Sequence, residues 1–75
     1  MLEKRSVSLA GHRTSVALEP EFWRELDRIA NEADQSLASL VSDVDQARSP
    51  ETNLASALRL AVLSALTRRS GTPLS

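Results

Sequence analysis

Polar and apolar residues alternate from residue 13 to residue 18, and the alternation gives way directly to a helical repeat. One face of this segment carries Thr14, Val16 and Leu18, and the other carries Arg13, Ser15 and Ala17. A period of two predicts a strand with one buried face. Pro20 ends the strand but suits the first position of a helix, where its missing N–H would be unpaired in any case. The pattern predicts a strand that leads into a helix without a loop.

Two amphipathic helices are predicted after this strand. In the first, Trp23 lies at the edge of an apolar stripe formed by Phe22, Leu26, Ile29, Ala30 and Ala33. The second begins after Ser36, whose hydroxyl can cap it, and its apolar face is formed by Leu37, Leu40, Val41 and Val44. The first helix should end near Ala33 or Asp34, and the second near Gln46.

A third helix is predicted beyond the break at Ser49 and Pro50, with Ser49 as its cap and Glu51 in its first turn. Residues 54–66 are apolar around nearly the whole circumference, and a helix of this kind has to be buried. A chain of 75 residues has little mass to surround it, so another protomer should supply part of the cover. Residues 70–75 are predicted to form a disordered tail.

Residues 4–9 also alternate, but their apolar positions have odd numbers where those of residues 13–18 have even ones. A continuous strand would send the two sets to opposite faces. Gly11 tolerates positive φ and can absorb the difference as a bulge or as the turn of a small hairpin. Two alternatives stay open for residues 1–12, an additional short strand or an N-terminal arm whose alternation is accidental. Residues 13–69 are predicted to form the folded domain.

Composition excludes several classes of protein. The chain has no Cys and one His, so disulfides are impossible and a zinc site lacks ligands. His12 is interpreted as a solvated turn residue, with a contact to a phosphate or a partner as the alternative. The sequence offers no pairing of nucleophile and base, and we expect no catalytic residue, no metal and no cofactor. It also lacks a signal peptide and a membrane-spanning segment, which favours a soluble cytoplasmic protein. Oligomerisation is then the expected support for a small core.

The formal net charge is −1, which is unusual for a nucleic-acid binder because phosphate neutralisation supplies most non-specific affinity. The charges are unevenly distributed, however. Residues 1–18 carry Lys4, Arg5 and Arg13 against Glu3 alone, whereas residues 32–51 are acidic. The amino end is therefore basic and the middle of the chain acidic.

The strand at residues 13–18 has no certain partner in its own chain, and its backbone groups need hydrogen bonds. Two copies of it would pair antiparallel across a two-fold axis. A two-stranded ribbon of this kind fits the major groove of DNA. The residues thus predict a mostly α homodimer with one short N-terminal β-strand and an intersubunit antiparallel β-ribbon.

Residues 13 to about 46, which include RTSVALEPEFWRELDRIANEADQSLASLV, resemble the ribbon-helix-helix family. The start GHRTSVALEPEFW is similar to small bacterial members with an additional C-terminal helix. The resemblance implies an intertwined homodimer that binds double-stranded DNA, with Arg13, Ser15 and Ala17 as base-reading residues. It also implies a phosphate anchor at Ser36, Leu37 and Ala38, and we expect Lys4 and Arg5 to contact the DNA backbone. The chain departs from the family pattern in its apolar Ala17 and in the lack of Gly at residues 33–35.

Two functions from different classes follow. The first is a sequence-specific DNA-binding regulator of transcription, such as a repressor, whose dimeric ribbon enters the major groove. The second is a dimeric protein-interaction module, antitoxin-like or an adaptor, in which the acidic middle and the third helix serve a protein partner. If the protein bound its partner with an affinity that did not fall as salt was added, this would favour the interaction module over the DNA-binding regulator. An enzyme is disfavoured because the carboxylates fall mostly on helix surfaces.

Overall fold

The computed structural model describes residues 1–70, and within them two strands are followed by three helices. The strands are β1 (Glu3–Leu9) and β2 (His12–Leu18), and the helices are α1 (Pro20–Glu32), α2 (Leu37–Ala47) and α3 (Leu54–Ser70). None of the helices in this part of the chain is long and apolar enough to cross a membrane. Residues 71–75, most of the predicted tail, lie outside the described residues. Ser70, where the tail was predicted to begin, is the last residue of α3.

β1 and β2 form an antiparallel hairpin within the chain and pair along their whole length. Ala10 and Gly11 make the turn, with φ angles of 50° and 83°. Positive φ at both central residues suits the right-handed twist of the strands that such a turn joins. The turn has two residues, so Leu9 is opposite His12. In this register, odd-numbered residues of β1 share a face with even-numbered residues of β2. The hairpin interpretation of Gly11 is therefore confirmed, and the accidental arm is wrong.

This pairing corrects the prediction of a single strand that depends on a second chain. β2 finds a partner in β1, so its backbone does not require an intersubunit ribbon. The predicted faces are confirmed, since Val16 and Leu18 are buried while Arg13 and Ser15 are exposed. The predicted architecture of ribbon, two helices and an extra C-terminal helix is confirmed as well.

α1 begins at Pro20, as predicted, and ends in a turn at Asp34, whose φ is 58°. The amide of Gln35 donates to the carbonyl of Ala30 at 2.9 Å, and the amide of Asp34 donates to that of Asn31 at 3.1 Å. This is the Schellman arrangement, in which the residue of positive φ is usually glycine. Asp34 therefore takes the place of the missing glycine and allows α2 to begin shortly afterwards.

The core lies between the inner face of the hairpin and all three helices. Its buried members are Val7, Val16, Leu18, Trp23, Leu26, Val41, Leu58 and Val62. Phe22, Ile29 and Leu40, which belong to the predicted apolar faces of the first two helices, are half-buried and pack at the margin of the core. Trp23 was predicted at the edge of the stripe, yet it is fully buried because β1 covers its side of α1.

α3 starts later than predicted, at Leu54. Asn53 caps it by accepting a hydrogen bond from the amide of Ser56 at 2.8 Å. The predicted cap, Ser49, instead closes a turn, in which its carbonyl accepts from the amide of Thr52 at 3.0 Å. The helix buries Ala57, Leu58 and Val62 but exposes Leu60, Leu63 and Leu66. Its apolar circumference is thus only partly covered within one chain.

Candidate nucleic-acid interface

The hairpin presents one polar face to solvent, formed by alternate residues of both strands. Residues that are directly opposite in antiparallel strands lie on the same face of the sheet. The pairs on this side are Lys4 with Ala17, Ser6 with Ser15, and Ser8 with Arg13. We call these residues the outer face. All of them are exposed except Ala17, which is half-buried, and the charged members are cationic.

The predicted base-reading residues Arg13, Ser15 and Ala17 lie in line along β2 on the outer face. Arg13 has no ion-pair or hydrogen-bond partner within residues 1–70, so its guanidinium is available to a ligand. Sequence reasoning missed Ser6 and Ser8, which occupy the same face on β1. The signal was present in the alternation of residues 4–9, and taking the turn at Gly11 as certain would have placed them.

Lys4 and Arg5 were expected to act together on the DNA backbone, but they lie on opposite faces of β1. The Nε of Arg5 donates to the Glu3 carboxylate at 2.7 Å, and its Nη1 donates to Asp27 at 3.4 Å. The guanidinium also lies over the Trp23 ring, 4.9 Å from its centroid. The hydrogen bond to Glu3 contributes most to raising the pKa of Arg5. Arg5 thus joins β1 to α1, and the structure does not place it with the outer face.

The predicted phosphate anchor is the first turn of α2. Ser36 caps this helix, because its Oγ accepts a hydrogen bond from the amide of Ser39 at 3.0 Å. Its carbonyl accepts from the amide of Leu40, also at 3.0 Å. The amides of Leu37 and Ala38 have no acceptor among the described residues. Free N–H groups at a helix N-terminus favour anions, so this turn offers two donors to a phosphate.

The surroundings of this turn are mixed in charge. A cavity of about 440 Å³ borders it and is lined by Asp27, Arg28, Ala30, Asn31, Gln35 and Leu37. Arg28 is ion-paired with Glu25, and the side-chain amide of Gln35 donates to the Asp43 carboxylate at 3.3 Å. A phosphate at this turn would therefore depend on the two amides and on the helix dipole rather than on a nearby unpaired cation.

The start of α3 borders the edge of β2 that β1 does not occupy. A cavity of about 340 Å³ lies between them, and its lining residues are Thr14, Ser15, Val16, Ala17, Asn53, Leu54 and Ala55. Because the lining includes residues from both faces of β2 and none from β1, the cavity lies along this edge. The outer face is therefore two strands wide, with a helix start beside it.

His12 is exposed and lies next to the hairpin turn, opposite Leu9. Within the described residues, no group of three His, Asp or Glu side chains is placed to hold a metal ion.

Comparison with known families gives a match to the family model described as a ribbon-helix-helix domain, over residues 2–66. The match includes both strands, α1, α2 and most of α3. Searches of the curated proteins and of the solved structures gave no match.

Proposed function

The chain belongs to the ribbon-helix-helix domain family, and on this premise we propose that it is a sequence-specific DNA-binding regulator of transcription. Domains of this family generally bind DNA as regulatory modules. The observation that carries the proposal is the outer face of the hairpin, which is exposed, cationic and two strands wide. A regulator of this kind would work in the bacterial cytoplasm.

The dimensions of the hairpin suit the major groove. Paired strands lie about 4.7 to 4.9 Å apart, and the groove is about 12 Å wide. Arg13 can donate two hydrogen bonds to the O6 and N7 of a guanine. Ser15 can donate to or accept from a base edge, and Ala17 can pack against a thymine methyl group. We therefore assign base reading on β2 to these three residues.

We assign the phosphate contacts to Lys4 and to the start of α2. Lys4 lies at the end of the outer face remote from the turn, and its flexible ammonium group suits contact with a phosphate as a point charge. Ser36, Leu37 and Ala38 form the anchor, in which the last two offer free amides. Arg5 is engaged with Glu3 and α1, so we expect its effect on DNA binding to be indirect.

The net charge of −1 is compatible with this proposal because no Asp or Glu belongs to the outer face. Glu3 is the acidic residue of the hairpin, and it lies on the inner face beside Arg5. On α2, Asp45 is ion-paired with Arg48 at 2.9 Å. With few phosphate contacts, non-specific binding should be weak and its dependence on salt shallow. The affinity for a preferred site should then come mainly from base contacts.

We further propose that the protein acts as a homodimer through the exposed side of α3. Leu60, Leu63 and Leu66 are 58%, 47% and 39% exposed, and residues three apart are neighbours on a helix surface. Domains of this family typically dimerise. A second copy that covers these leucines would remove apolar surface from water, which is the main driving force of association.

The same leucines favour a second candidate, a protein-interaction module in which a different protein covers α3. Selection from a pool of randomised DNA duplexes, followed by titration at two salt concentrations, separates the candidates. A DNA-binding regulator should enrich one sequence and bind it roughly 1,000-fold or more tightly than scrambled DNA. An interaction module should enrich no sequence, and its residual DNA binding should disappear as salt is raised.

A further inference from the structure

β1 lies along one edge of β2, and we propose that β1 contacts the phosphates at the wall of the major groove while β2 reads the bases. The contacting residues of β1 are Lys4, Ser6 and Ser8, its members of the outer face. This inference rests on the proposed DNA binding by a homodimer. It deepens that proposal, because it separates the strand that reads the sequence from the strand that contacts the DNA backbone.

The turn of the hairpin decides which edge of the sheet each backbone group faces. Opposed residues of an antiparallel pair alternate between pairs that exchange two hydrogen bonds and pairs that exchange none. A two-residue turn is closed by a hydrogen bond between the residues that flank it, here Leu9 and His12. Counted from this pair, the pairs of the outer face are those that exchange none. Their amides and carbonyls therefore point away from the opposite strand.

The free edge of β2 is complementary to a second copy of itself. The groups that point to it belong to Arg13, Ser15 and Ala17. Within residues 1–70, β2 pairs only with β1, and no turn, loop or cap hydrogen bond reaches this edge. Because Ser15 is the middle residue, two copies of β2 that pair antiparallel about it satisfy all of these groups in both chains. The sheet then consists of β1, β2, and β2 and β1 of the partner subunit, in this order.

The spacing of strands in such a sheet places β1 at the wall of the groove. Strands lie about 4.7 to 4.9 Å apart, so each copy of β2 runs about 2.4 Å from the two-fold axis and each copy of β1 about 7.2 Å from it. The major groove is about 12 Å wide, which leaves about 6 Å on either side of its centre. β2 therefore faces the base edges, and β1 faces the phosphates that border the groove.

The outward groups of β1 suit contact with phosphates. The amides of Lys4, Ser6 and Ser8 point to the outer edge of the sheet, and within residues 1–70 no turn, loop or cap hydrogen bond reaches them. All three side chains are exposed. Backbone amides, serine hydroxyls and lysine ammonium groups are all common donors to phosphate oxygens. β1 thus offers a line of donors with no carboxylate among its outward side chains.

β1 is fixed on the helices by its inward residues, so its outward donors have fixed positions. Val7 belongs to the buried core, and the carbonyl of Glu3 accepts a 2.7 Å hydrogen bond from the indole of Trp23. Arg5 lies over the same ring and also donates to Asp27. Asp27 in turn lines the cavity at the first turn of α2. The proposed phosphate anchor of α2 therefore lies on the β1 side of the protomer.

The first experiment tests the order of strands without DNA, by disulfide cross-linking in a glutathione redox buffer. The natural chain has no Cys. Ser15→Cys places a cysteine opposite its copy, with Cα atoms about 5.5 Å apart, which suits a disulfide. Ser6→Cys is the matched control, because the two copies of β1 are three strand spacings or about 14 Å apart. Ser15→Cys should become a covalent dimer, and Ser6→Cys should remain as single chains.

Two results of the cross-linking would overturn the inference. Cross-linking of Ser6→Cys would put the two copies of β1 within reach of a disulfide, near the two-fold axis. Failure of Ser15→Cys to cross-link would mean that β2 does not pair with its copy.

The second experiment adds a cation to β1 by Ser8→Lys, at an exposed position. The variant should bind the selected and the scrambled duplex more tightly, with the same selected sequence. The slope of log K against log salt should steepen by about two units per dimer, because each neutralised phosphate contributes about 0.9. Ser49→Lys adds the same charge beyond the far end of α2, at another exposed serine. This control should keep the wild-type slope.

Neutral methylphosphonate linkages locate the contact on the DNA. Placed one at a time in the selected duplex, they should weaken wild-type binding at phosphates that border the groove. Ser8→Ala should bind the unmodified duplex roughly threefold to tenfold more weakly, as expected for the loss of a hydrogen bond. It should also become insensitive to the neutral linkage at one of these positions and keep the wild-type selected sequence. Ser49→Ala is the control for the loss of an exposed hydroxyl.

The outcomes separate this inference from the proposed function. If either Ser8 variant selects a different sequence, β1 reads bases and the inference is wrong, while the proposed function stands. If Ser8→Lys keeps the wild-type affinity and salt slope while Arg13→Ala relaxes the selected sequence, β1 does not touch DNA and the proposed function again stands. If the wild-type protein selects no sequence, the proposed function fails and this inference fails with it.

Discussion

The indole Nε1 of Trp23 donates a 2.7 Å hydrogen bond to the main-chain carbonyl oxygen of Glu3. Trp23 is fully buried in α1, and Glu3 is the first residue of β1. The contact joins residues that are 20 positions apart, and it gives the one polar atom of a buried ring its partner. The position of β1 on the helices therefore depends on this residue of α1.

Trp23→Phe should destabilise the protein because it removes the donor and leaves the Glu3 carbonyl without its partner. The expected loss in the free energy of unfolding is about 1 to 3 kcal/mol, measured by urea denaturation. Phe22→Leu, at the half-buried neighbour, removes an aromatic ring but no hydrogen bond and serves as the control. Hydrogen exchange of the β1 amides should increase in Trp23→Phe, and unchanged exchange would contradict the role assigned to this contact.

The strand alternation and the helix starts could be predicted from sequence because they depend on neighbouring residues alone. The alternation at residues 13–18 and the start of α1 at Pro20 both follow from such spacing. The burial of Trp23 could not be predicted in the same way, because its hydrogen-bond acceptor lies in β1. Whether β1 forms depends on the turn at Ala10 and Gly11. The sequence was compatible with this turn, but also with a bulge or with an unpaired N-terminal arm.

The same dependence on the hairpin turn explains why the sequence did not separate Arg5 from the residues of the outer face. Arg5 and Arg13 are both cationic residues of alternating segments, and charge alone does not distinguish them. Only the register of the hairpin shows that Arg5 lies inward, beside Glu3 and Asp27, while Arg13 lies outward. The alternation within one strand predicts which of its residues share a face. Matching the faces of two strands also requires the length of the turn that joins them.

Asp34→Gly should stabilise the protein. Asp34 has a φ of 58° at the end of α1, where an L side chain is strained and glycine is not. The relief of strain is partly offset by the greater freedom of glycine in the unfolded chain, which leaves an expected gain of about 0.5 to 1 kcal/mol. Urea denaturation measures the gain. Asp34→Ala removes the same carboxylate but keeps the strain, so an equal gain in both variants would contradict this explanation.

The ion pair between Glu19 and Arg59 should make a small part of the stability depend on pH. The carboxylate accepts from the Nε of Arg59 at 3.0 Å, and the pKa of Glu19 is lowered from its ordinary 4.5 by its own backbone amide first and then by Arg59. A lowered pKa means that the contribution is present above pH 4.5 and is lost as the pH falls through the folded-state value.

Thermal melts between neutral pH and pH 3 test this dependence. Glu19→Gln should show a shallower fall in melting temperature below pH 4.5 than the wild type. The effect should be modest, because the carboxylate is partly exposed to solvent. Glu21→Gln, on the exposed side of the same helical turn, is the control for replacing a carboxylate by an amide. Parallel curves for the wild type and Glu19→Gln would assign the pH dependence to other groups.

Leu63→Glu should weaken the proposed homodimer without unfolding the protomer. Leu63 lies between Leu60 and Leu66 on the exposed side of α3, and loss of its burial is worth about 1.5 to 3 kcal/mol. The dissociation constant should rise roughly 10- to 150-fold, measured by sedimentation or by light scattering over a range of concentrations. Leu2→Glu places the same charge at another exposed leucine and is the control.

A folded wild-type protein that stays monomeric at every concentration would exclude the homodimer altogether. A dimer that is equally stable in wild type and Leu63→Glu would place the interface away from α3. Circular dichroism of the variant at low concentration checks that the protomer keeps its fold. This check matters because many obligate dimers have no stable folded monomer.

Arg13→Ala should weaken binding to the selected duplex far more than binding to scrambled DNA. Arg13 is the arginine of the outer face and is unpaired within residues 1–70, and a bidentate contact to guanine is worth about 1 to 3 kcal/mol of discrimination. Lys4→Ala should instead weaken all sequences alike and reduce the salt slope by about one unit per contact. Fluorescence anisotropy with both duplexes at two salt concentrations measures the two effects.

Arg68→Ala is the matched control for the loss of an exposed arginine. Arg68 lies in the last turn of α3, about 20 Å along the helix from the end that borders β2, so its removal should leave the sequence preference unchanged. If Arg13→Ala also keeps both affinity and preference, Arg13 does not read the groove. The exposed leucines of α3 would then be the stronger guide to function, and the interaction module would replace the regulator.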